Sequence, residues 1–450
     1  MVALFAQEKI SVQEKCFPLQ SGVDLTDTFH FLLLLMKIFK FENRFPFGEF
    51  DKKPIISIMA SVKLQSILDN DFYKFTMQHA VIKLFPNVKV RYAFINRGKH
   101  LFPSNFAVLL REAVDAMVNL KLTTKEKQYL TDNCPYLDPT YLDFLQGYQY
   151  DPAEVKIEQN GSDLKVTIEG YWYRTILWEV PLMALISELF YVSQNMIRVD
   201  DNEVKRITKE KIENYNELGV VILEFGTRRR HSYKVQSLVN ETLNTFGRTS
   251  FLGTSNVHLA MLQNRKPSGT HAHEWFMYHA SQYGFKVANA ISLENWTKVY
   301  EGDLGIALTD TYTSNVFFEQ FNKKYSKLFD GVRHDSGDPI EFAKKTIAHY
   351  EQMGIDPKSK IIVFSDSLNF DKVKVIADFC RGKIKMSFGI GTNFSNDVGL
   401  PAMNMVIKLT DTKPENSHWE GVVKLSDEKN KHTGTPKMIA LAQQVLGIES

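Results

Sequence analysis

The stretch Val220–Arg230, VVILEFGTRRR, joins a short apolar run to a glycine and a cluster of arginines. An unbroken apolar run of this length is typical of a strand that is buried on both faces of a parallel sheet. Seven such units, counting this one, predict an irregular (β/α) barrel, and a doubly wound open sheet is the structural alternative. The other units, separated by helical patterns, are SFLGTSN (250–256), GTHAHEW (269–275), DLGIALTD (303–310), DGVRHDSGDP (330–339), KIIVFSDS (360–367) and KMSFGIGTN (385–393).

The composition is that of a globular protein without a dominant charge. Of the 450 residues, 44% are hydrophobic and 24% are charged, and the formal net charge is +2. This balance argues against a dedicated nucleic-acid binder or a strong membrane-surface binder. Three widely spaced cysteines without a CxxC pair suggest neither a disulfide framework nor a structural zinc site, so we expect a cytoplasmic protein.

The first part of the chain has a different organisation. Its most apolar run, FHFLLLLMKIF (29–39), is about half as long as a membrane-spanning helix requires and contains a lysine, so we expect no membrane span. The surrounding residues show no period, and helical apolar spacing begins at Met59. We therefore expect residues 1–58 to be an unstructured extension or the product of a start site placed too early, with Met59 as the true start.

An α+β domain is predicted for residues 59–217. VKVRYAF (88–94) alternates as a strand does, and FAVLLREAVDAMVNL (106–120) and WEVPLMALISELFYVSQ (178–194) have helical patterns. Asn160-Gly161 between two alternating runs predicts a hairpin with both residues in the tight turn. The barrel is then predicted for residues 218–410, and a C-terminal segment, 411–450, is expected to pack back on the first domain.

The polar residues that follow the barrel strands are expected to converge, because the carboxyl ends of parallel barrel strands meet on one face. Arginine forks such as that of Arg228 fit phosphate or carboxylate, although a solvated basic loop is the alternative for FGTRRR. Asp335 in VRHDSGDP (332–339) suits ribose hydroxyls or magnesium, and Arg333 suits an anion or an aromatic ring. Asp338 followed by Pro339 also reads as a helix start.

Three weaker signals accompany these loops. Gly389 and Gly391 in FGIGTN (388–393) would let backbone amides approach a phosphate, or they form an ordinary turn. Asp366, in FSDS, either binds a hydroxyl or phosphate group or caps the next helix. Near the front, DNDFYKFTMQ predicts Asp71 as a helix cap, with the neighbouring tyrosine in the core and the lysine after it on the surface.

GTHAHEW (269–275) allows three interpretations. On a strand, His271 and His273 would point to the same side, which is the spacing of a zinc pair in metal-dependent barrel hydrolases. The arginine cluster has no evident use in such a site. Alternatively, both histidines are structural, or one of them accepts a phosphoryl group, since neutral imidazole is a competent nucleophile.

Taken in order, the motifs DNDFYKFTMQ, FGTRRR, GTSN, GTHAHEW, VRHDSGDP, FSDS and FGIGT resemble those of the nicotinate phosphoribosyltransferase family from Met59 to beyond KLSD (424–427). The resemblance implies the α/β fold of type II phosphoribosyltransferases, an irregular barrel with an N-terminal α+β domain. It also implies an enzyme of NAD salvage that joins nicotinate to 5-phosphoribosyl 1-diphosphate and is coupled to ATP hydrolysis, with Mg²⁺ as cofactor.

The resemblance also assigns roles to individual residues. It implies that His273 becomes a phosphohistidine, that Arg228 and Asp335 act in catalysis, and that Asp335 is the candidate Mg²⁺ ligand. It further suggests a homodimer in which Tyr73 enters the neighbouring site. The residues implied to bind substrate are Tyr73, Phe225, Thr270, Arg333, Asp366, Gly389, Gly391 and Thr392.

Other functions stay open on the sequence alone. The nearest rivals are relatives that use nicotinamide or quinolinate. A metal-dependent hydrolase built on His271 and His273 is a rival of a different class, and a catalytically dead ligand-binding homologue is a third. Tightly bound stoichiometric zinc would discriminate the hydrolase, and the presence of all the motif residues disfavours the dead homologue.

Overall fold

A computed structural model describes residues 62–448 of the chain. The expectation for residues 1–58, and with it the proposed start at Met59, lies outside the described residues. The α-helices are α1 Phe72–Leu84, α2 Phe106–Ala116, α3 Thr124–Asn133, α4 Pro139–Gly147, α5 Trp172–Thr175, α6 Glu179–Ser193, α7 Asp201–Leu218, α8 Tyr233–Phe246, α9 Val257–Leu262, α10 His273–Tyr283, α11 Ala288–Tyr300, α12 Ser314–Gln320, α13 Lys323–Leu328, α14 Pro339–Gln352, α15 Phe370–Cys380, α16 Thr392–Ser395 and α17 Pro436–Leu446.

The strands fall into two sheets. Short 3₁₀ turns occur between the longer elements, at Met117–Asn119, Pro152–Glu154, Ile176–Trp178, Thr227–Arg229, Phe285–Val287, Pro357–Ser359 and Lys429–Lys431. The strands are β1 Lys89–Ile95, β2 Val155–Asn160, β3 Asp163–Tyr171, β4 Ile222–Glu224, β5 Phe251–Thr254, β6 Ile306–Leu308, β7 Gly331–His334, β8 Ile361–Phe364, β9 Lys385–Ile390, β10 Val406–Lys413 and β11 Glu420–Gly421.

The barrel sheet has six parallel strands in the order β5-β4-β9-β8-β7-β6. These strands are short and mostly buried on both faces, which agrees with their unbroken apolar sequences. The first strand, β4, pairs with the last, β9, and residues of all six strands line one central cavity, so the strands surround an axis rather than spreading into an open sheet. The irregular barrel is confirmed, and six of the seven predicted units form its strands.

The seventh unit, GTHAHEW, does not form a strand, and this part of the prediction is wrong. It lies in the opening between β5 and β6, held largely by side chains instead of a backbone ladder. The amide of Ser268 donates to the carbonyl of Thr254 at 3.1 Å, and the Thr270 hydroxyl donates to the carbonyl of Ile306 at 3.0 Å. α10 then begins at His273, so the two histidines do not share one face of a strand.

The second sheet is antiparallel, with strand order β11-β10-β1-β3-β2. The hairpin between β2 and β3 is present, but Asn160 pairs with Asp163, so the turn consists of Gly161 and Ser162. Only Gly161 has a positive φ, 59°, which is the pattern of a type II′ turn and not of the turn expected from Asn-Gly. β10 pairs with β1 along seven residues, which joins C-terminal sequence to the first part of the chain. The domain boundaries stay predictions.

Within residues 62–448, the helical stretch Trp172–Ser193 is long and apolar enough to cross a membrane, but 89% of its apolar window is buried inside the protein. It behaves as a core helix, since its side chains pack against the antiparallel sheet and α2. Asp338 caps α14 through the amides of Ile340 and Glu341, as its sequence predicts. Asp71 precedes α1 without a side-chain cap and instead accepts a hydrogen bond from Ser255.

Candidate active site

Two connected cavities meet at the carboxyl ends of the barrel strands. The outer pocket has a volume of about 520 Å³ and is rich in charged side chains. The inner cavity, about 340 Å³, lies within the barrel, since every one of its six strands contributes a lining residue. Tyr73, Arg228 and Arg333 line both. The sequence placed these three residues in the site, and they mark the boundary between an apolar chamber and a polar one.

His273, the first residue of α10, stands at the centre of the outer pocket's hydrogen bonds. Its Nδ1 lies 3.0 Å from the Thr311 hydroxyl, and its Nε2 lies 2.9 Å from Lys424 Nζ and 3.2 Å from Asp335 Oδ2. Burial, with a further contribution from the Lys424 ammonium, lowers the pKa of His273 to about 4. The imidazole is therefore neutral at physiological pH and can act as a nucleophile.

Asp335 connects His273 to the barrel strands. Its Oδ1 accepts hydrogen bonds from Arg333 Nη2 at 2.8 Å and from the Ser365 hydroxyl at 2.7 Å. Although burial opposes it, the neighbouring Arg333 and His273 hold the pKa of the Asp335 carboxyl well below its ordinary value. Ligand atoms of His273, Asp310 and Asp335 lie within 4.8 Å of one another, a spacing that could hold a metal ion.

The three consecutive arginines have different surroundings. Arg228 lines both cavities and lies 3.6 Å from a Glu179 oxygen, whereas Arg229 lines the outer pocket alone. Arg230 points away from both and forms a fully buried, two-pronged ion pair with Asp69, at 2.6 and 2.8 Å. One arginine of the cluster is therefore structural, and neither a solvated loop nor a uniform anion site describes all three.

The inner cavity contains the aromatic residues predicted to bind substrate. Phe225 and Thr270 line it together with Tyr73. Gly389 lies against the Phe225 ring, and a Cβ atom at this glycine would come within 2.4 Å of ring carbons. The absence of a side chain at Gly389 therefore makes room for Phe225, a packing reason that differs from the phosphate contact predicted for this glycine.

The remaining predicted residues lie at the rim or outside it. Asp366 lines the outer pocket and accepts a hydrogen bond from Lys431 at 2.9 Å. It does not cap the next helix, since Asn369 does. Gly391 and Thr392 lie outside the lining of both cavities, at the start of α16. The structure thus brings eight of the eleven predicted site residues to the cavity walls.

His271 is separated from His273 by packing. Its ring lies against Phe276 and Trp296, with ring centroids 5.2 and 4.7 Å away, and its Nε2 accepts a hydrogen bond from the Leu308 amide at 3.1 Å. The burial of the ring lowers its pKa to about 3. Because Nε2 already accepts a hydrogen bond from the barrel backbone, the histidine pair does not form a metal-binding site.

Three lysines in or beside the outer pocket have no functional role in the sequence prediction. Lys74, predicted to lie on the surface, is completely buried beside Glu179 and Glu274. Lys408 and Lys424 line the outer pocket, and burial lowers the pKa of Lys408 to about 7. The local sequence does not distinguish these lysines from surface ones: Lys408 stands in VIKL, and the same four letters at 81–84 contain Lys83, whose side chain is 39% exposed.

Comparisons with known proteins agree with this geometry. The model of the nicotinate phosphoribosyltransferase (NAPRTase) family matches residues 220–450, and that of the family's N-terminal domain matches residues 68–187. The nicotinate phosphoribosyltransferase of Chromohalobacter salexigens is 61% identical over 385 residues, covering 86% of this chain and 99% of that protein. The protein of the same name from Desulforapulum autotrophicum is 48% identical over 385 residues, covering 85% and 99%.

Solved structures give the same result. The crystal structure of nicotinate phosphoribosyltransferase from Porphyromonas gingivalis has a TM-score of 0.84 at 45% identity and covers 86% of this chain and 100% of that chain. A putative nicotinate phosphoribosyltransferase from Saccharomyces cerevisiae has a TM-score of 0.80 at 34% identity, covering 87% and 100%. The chain belongs to the nicotinate phosphoribosyltransferase family.

Proposed function

We propose that this chain joins nicotinate to 5-phosphoribosyl 1-diphosphate, giving nicotinate mononucleotide and diphosphate, at the junction of the two cavities. Family membership supports the reaction. The main observation that supports this location is that Tyr73, Arg228 and Arg333 line both an apolar chamber and a charged pocket. A flat aromatic acid and a polyphosphate sugar need those two environments side by side.

Nicotinate occupies the inner cavity in this proposal. Its ring packs against Phe225 and Tyr73, and its carboxylate meets a guanidinium of Arg228 or Arg333. The pyridine nitrogen then uses its lone pair to form a bond to C1 of the ribose, while the bond from C1 to the diphosphate oxygen breaks. Positive charge develops on the ribose, so catalysis depends on alignment and on stabilising the departing diphosphate with the pocket's cations.

ATP drives the cycle through His273. The neutral ring attacks the γ-phosphorus, the bond to the ADP oxygen breaks, and Lys424 lies 2.9 Å from Nε2 to offset the added charge. A phosphohistidine carries acceptor oxygens that arginine and lysine side chains can bind, so it favours a closed, substrate-binding pocket. Water later cleaves the phosphorus–nitrogen bond, releasing phosphate, and the pocket relaxes so that the products leave.

Mg²⁺ fits the carboxylates beside His273. Asp310 is buried and Asp335 is half-buried, and both are ionised, since the cations around them hold their pKa values low in spite of desolvation. Asp310 Oδ1 makes no hydrogen bond to the part of the chain that the structure describes, so it offers a free ligand atom. Bound there, Mg²⁺ would neutralise charge on a di- or triphosphate.

A product assay tests the proposed function. The protein is supplied with the phosphoribosyl donor, Mg²⁺ and either nicotinate or nicotinamide, with and without ATP. We expect nicotinate mononucleotide as the main product and a higher rate with ATP. Equal or better use of nicotinamide would overturn the acid specificity, and a reaction that ATP does not accelerate would overturn the coupling.

Homodimerisation and the cytoplasmic location stay predictions. Tyr73 lines the cavities of its own chain, so a single chain already contains the aromatic residue that was expected from a neighbour. Sedimentation over a range of protein concentrations determines whether dimers form.

A further inference from the structure

A buried ion cluster lies beside the outer pocket, which two of its members, Glu179 and Glu274, line. Lys74 Nζ lies 2.5 Å from Glu179 Oε2 and 2.8 Å from Glu274 Oε1. The lysine side chain is completely buried, and those of the glutamates are 10% and 6% exposed. Two carboxylates that share one ammonium out of water are held in place strongly, because separating any member leaves an uncompensated buried charge.

The cluster joins three helices that are distant in sequence. Lys74 belongs to α1, Glu179 is the first residue of α6, and Glu274 is the second residue of α10. α1 also contacts the segment before α10, since the Thr76 hydroxyl donates to the carbonyl of Thr270 at 2.5 Å. A displacement at the start of α10 therefore changes the contacts of Lys74 directly.

Each end of the cluster touches a residue with a proposed role in the reaction. Glu274 follows His273 directly at the N-terminus of α10. At the other end, Glu179 Oε1 lies 3.6 Å from Arg228 Nη1, and this arginine lines both cavities. A continuous series of charges therefore runs from the phosphoryl acceptor, through Glu274, Lys74 and Glu179, to an anion-binding arginine.

The directions of the pKa shifts agree with a shared ammonium. Burial raises the pKa of Glu274, and Lys74 only partly offsets it. For Glu179, burial is outweighed by Lys74 and Arg228, and its pKa is lowered. The negative charge of Glu179 is thus better neutralised than that of Glu274. Any shift of the Lys74 ammonium between the two carboxylates changes the negative charge that faces Arg228.

We propose that Lys74 is a positioning residue that transmits the phosphorylation state of His273 to Arg228 through Glu274 and Glu179. This inference rests on the proposed function. A phosphoryl group adds negative charge beside Glu274, which draws Lys74 toward α10 and away from Glu179. Glu179 then holds Arg228 more firmly, and the guanidinium is fixed where it meets the substrate anion. ATP thereby tightens substrate binding without contacting Arg228.

We call this transmission through Glu274, Lys74 and Glu179 the relay. Glu274→Gln tests it with little change in shape, because the amide still accepts a hydrogen bond from Lys74. The readouts are acid-labile label on His273 from [γ-³²P]ATP, and KM and kcat for both substrates with and without ATP. In the wild type we expect ATP to lower KM by about 5-fold or more, the usual range of coupling between sites. In Glu274→Gln we expect normal labelling and a reduction of the ATP effect on KM to within about 2-fold of none.

Lys74→Met is the second variant, and Glu154→Gln is the matched control. Glu154 is a similarly buried carboxylate that pairs with Arg174 at 2.7 Å and does not line the outer pocket. The control should keep the full ATP effect. The relay is wrong if Glu274→Gln is labelled and keeps the full effect, or if it is no longer labelled. A wild type without label or ATP effect would instead contradict the proposed function.

Discussion

His271 and His273 are two residues apart, but their surroundings give them unrelated tasks. His271 accepts a hydrogen bond from the backbone of β6 and packs among aromatic rings. His273 faces Lys424 and Asp335 in the outer pocket. The difference follows from where α10 begins, because His273 is its first residue and His271 still belongs to the segment that fills the barrel opening.

Because their surroundings differ, substitutions at the two histidines should have unequal effects on phosphoryl labelling. His273→Ala should show no acid-labile label from [γ-³²P]ATP and no stimulation by ATP, because the phosphoryl acceptor is gone. His271→Gln should be labelled to nearly the wild-type level, since its amide oxygen can still accept from Leu308. Loss of label in both variants, or in neither, would contradict the assignment of His273 as the acceptor.

The burial of His271 also predicts a pH dependence of stability. Its pKa is about 3 in the folded protein and about 6.5 when unfolded, so the unfolded chain binds the proton more readily. Its contribution is fully present above pH 6.5 and is lost as the pH falls toward 3. Between pH 7.5 and 5 the loss is about 2 kcal/mol.

Urea unfolding at these two pH values measures the loss. His271→Gln lacks the titrating ring, so its free energy of unfolding should fall by about 2 kcal/mol less than that of the wild type over this pH interval. The other histidines are common to both proteins and cancel in the comparison. Parallel pH dependences would mean that His271 does not resist protonation.

At the scale of single elements, the turn after β4 shows how one loop combines structure and function. Asp69 clamps Arg230 from the segment before α1, and this clamp leaves Arg228 at the cavity boundary. Glu224, at the end of β4, accepts hydrogen bonds from Gln236 and the Gly226 amide and so fixes the start of the turn.

Substituting the two arginines should therefore have opposite effects. Arg228→Ala should lower kcat/KM by roughly 100-fold or more while lowering the thermal midpoint much less than Arg230→Met does, because Glu179 keeps its closer partner Lys74. Arg230→Met should destabilise the fold by about 3 to 5 kcal/mol, since it leaves the Asp69 carboxylate buried without its partner. Calorimetry and steady-state kinetics on both variants check this, and equal destabilisation would contradict it.

On the scale of the whole molecule, the outer pocket is assembled from three parts of the chain. Tyr73 comes from α1, the barrel contributes Arg228 and His273, and β10 contributes Lys408. The pairing of β10 with β1 brings residues more than 300 positions apart in sequence to one rim. Because one chain brings all these groups to one rim, we predict that Tyr73 acts in the pocket of its own chain.

Mixing two inactive variants tests this prediction. Tyr73→Ala and His273→Ala are purified separately, checked for folding by thermal melting, unfolded and refolded together. We expect no recovery of activity, because each chain carries a defect in its own pocket. Recovery toward a quarter of the wild-type rate, the share expected from one intact shared site per mixed dimer, would show that Tyr73 serves the neighbour.

Much of the fold could be predicted because its signals are local. Short apolar runs such as Val220–Leu223 need burial on both faces, and six of the seven predicted units became parallel strands. The strand prediction failed for GTHAHEW because two side-chain hydrogen bonds replace the backbone ladder there: the Thr270 hydroxyl donates to the Ile306 carbonyl, and His271 accepts from the Leu308 amide. Five of the eight predicted site residues that line the cavities lie at or just after the ends of barrel strands, which converge in any barrel, whereas Tyr73 comes from α1 and the other two from GTHAHEW.

By itself, the sequence determined the barrel, the face that carries the site and the family, since apolar period and motif order are properties of the chain alone. The order of the motifs already assigned His273 and Arg228 to the site, and only the tertiary structure decided what their neighbours do: His271 packs among aromatic rings and Arg230 pairs with Asp69. It also placed Lys74 between Glu179 and Glu274. The physical reason is that a side chain's direction and charge state depend on packing partners 100 to 200 residues away.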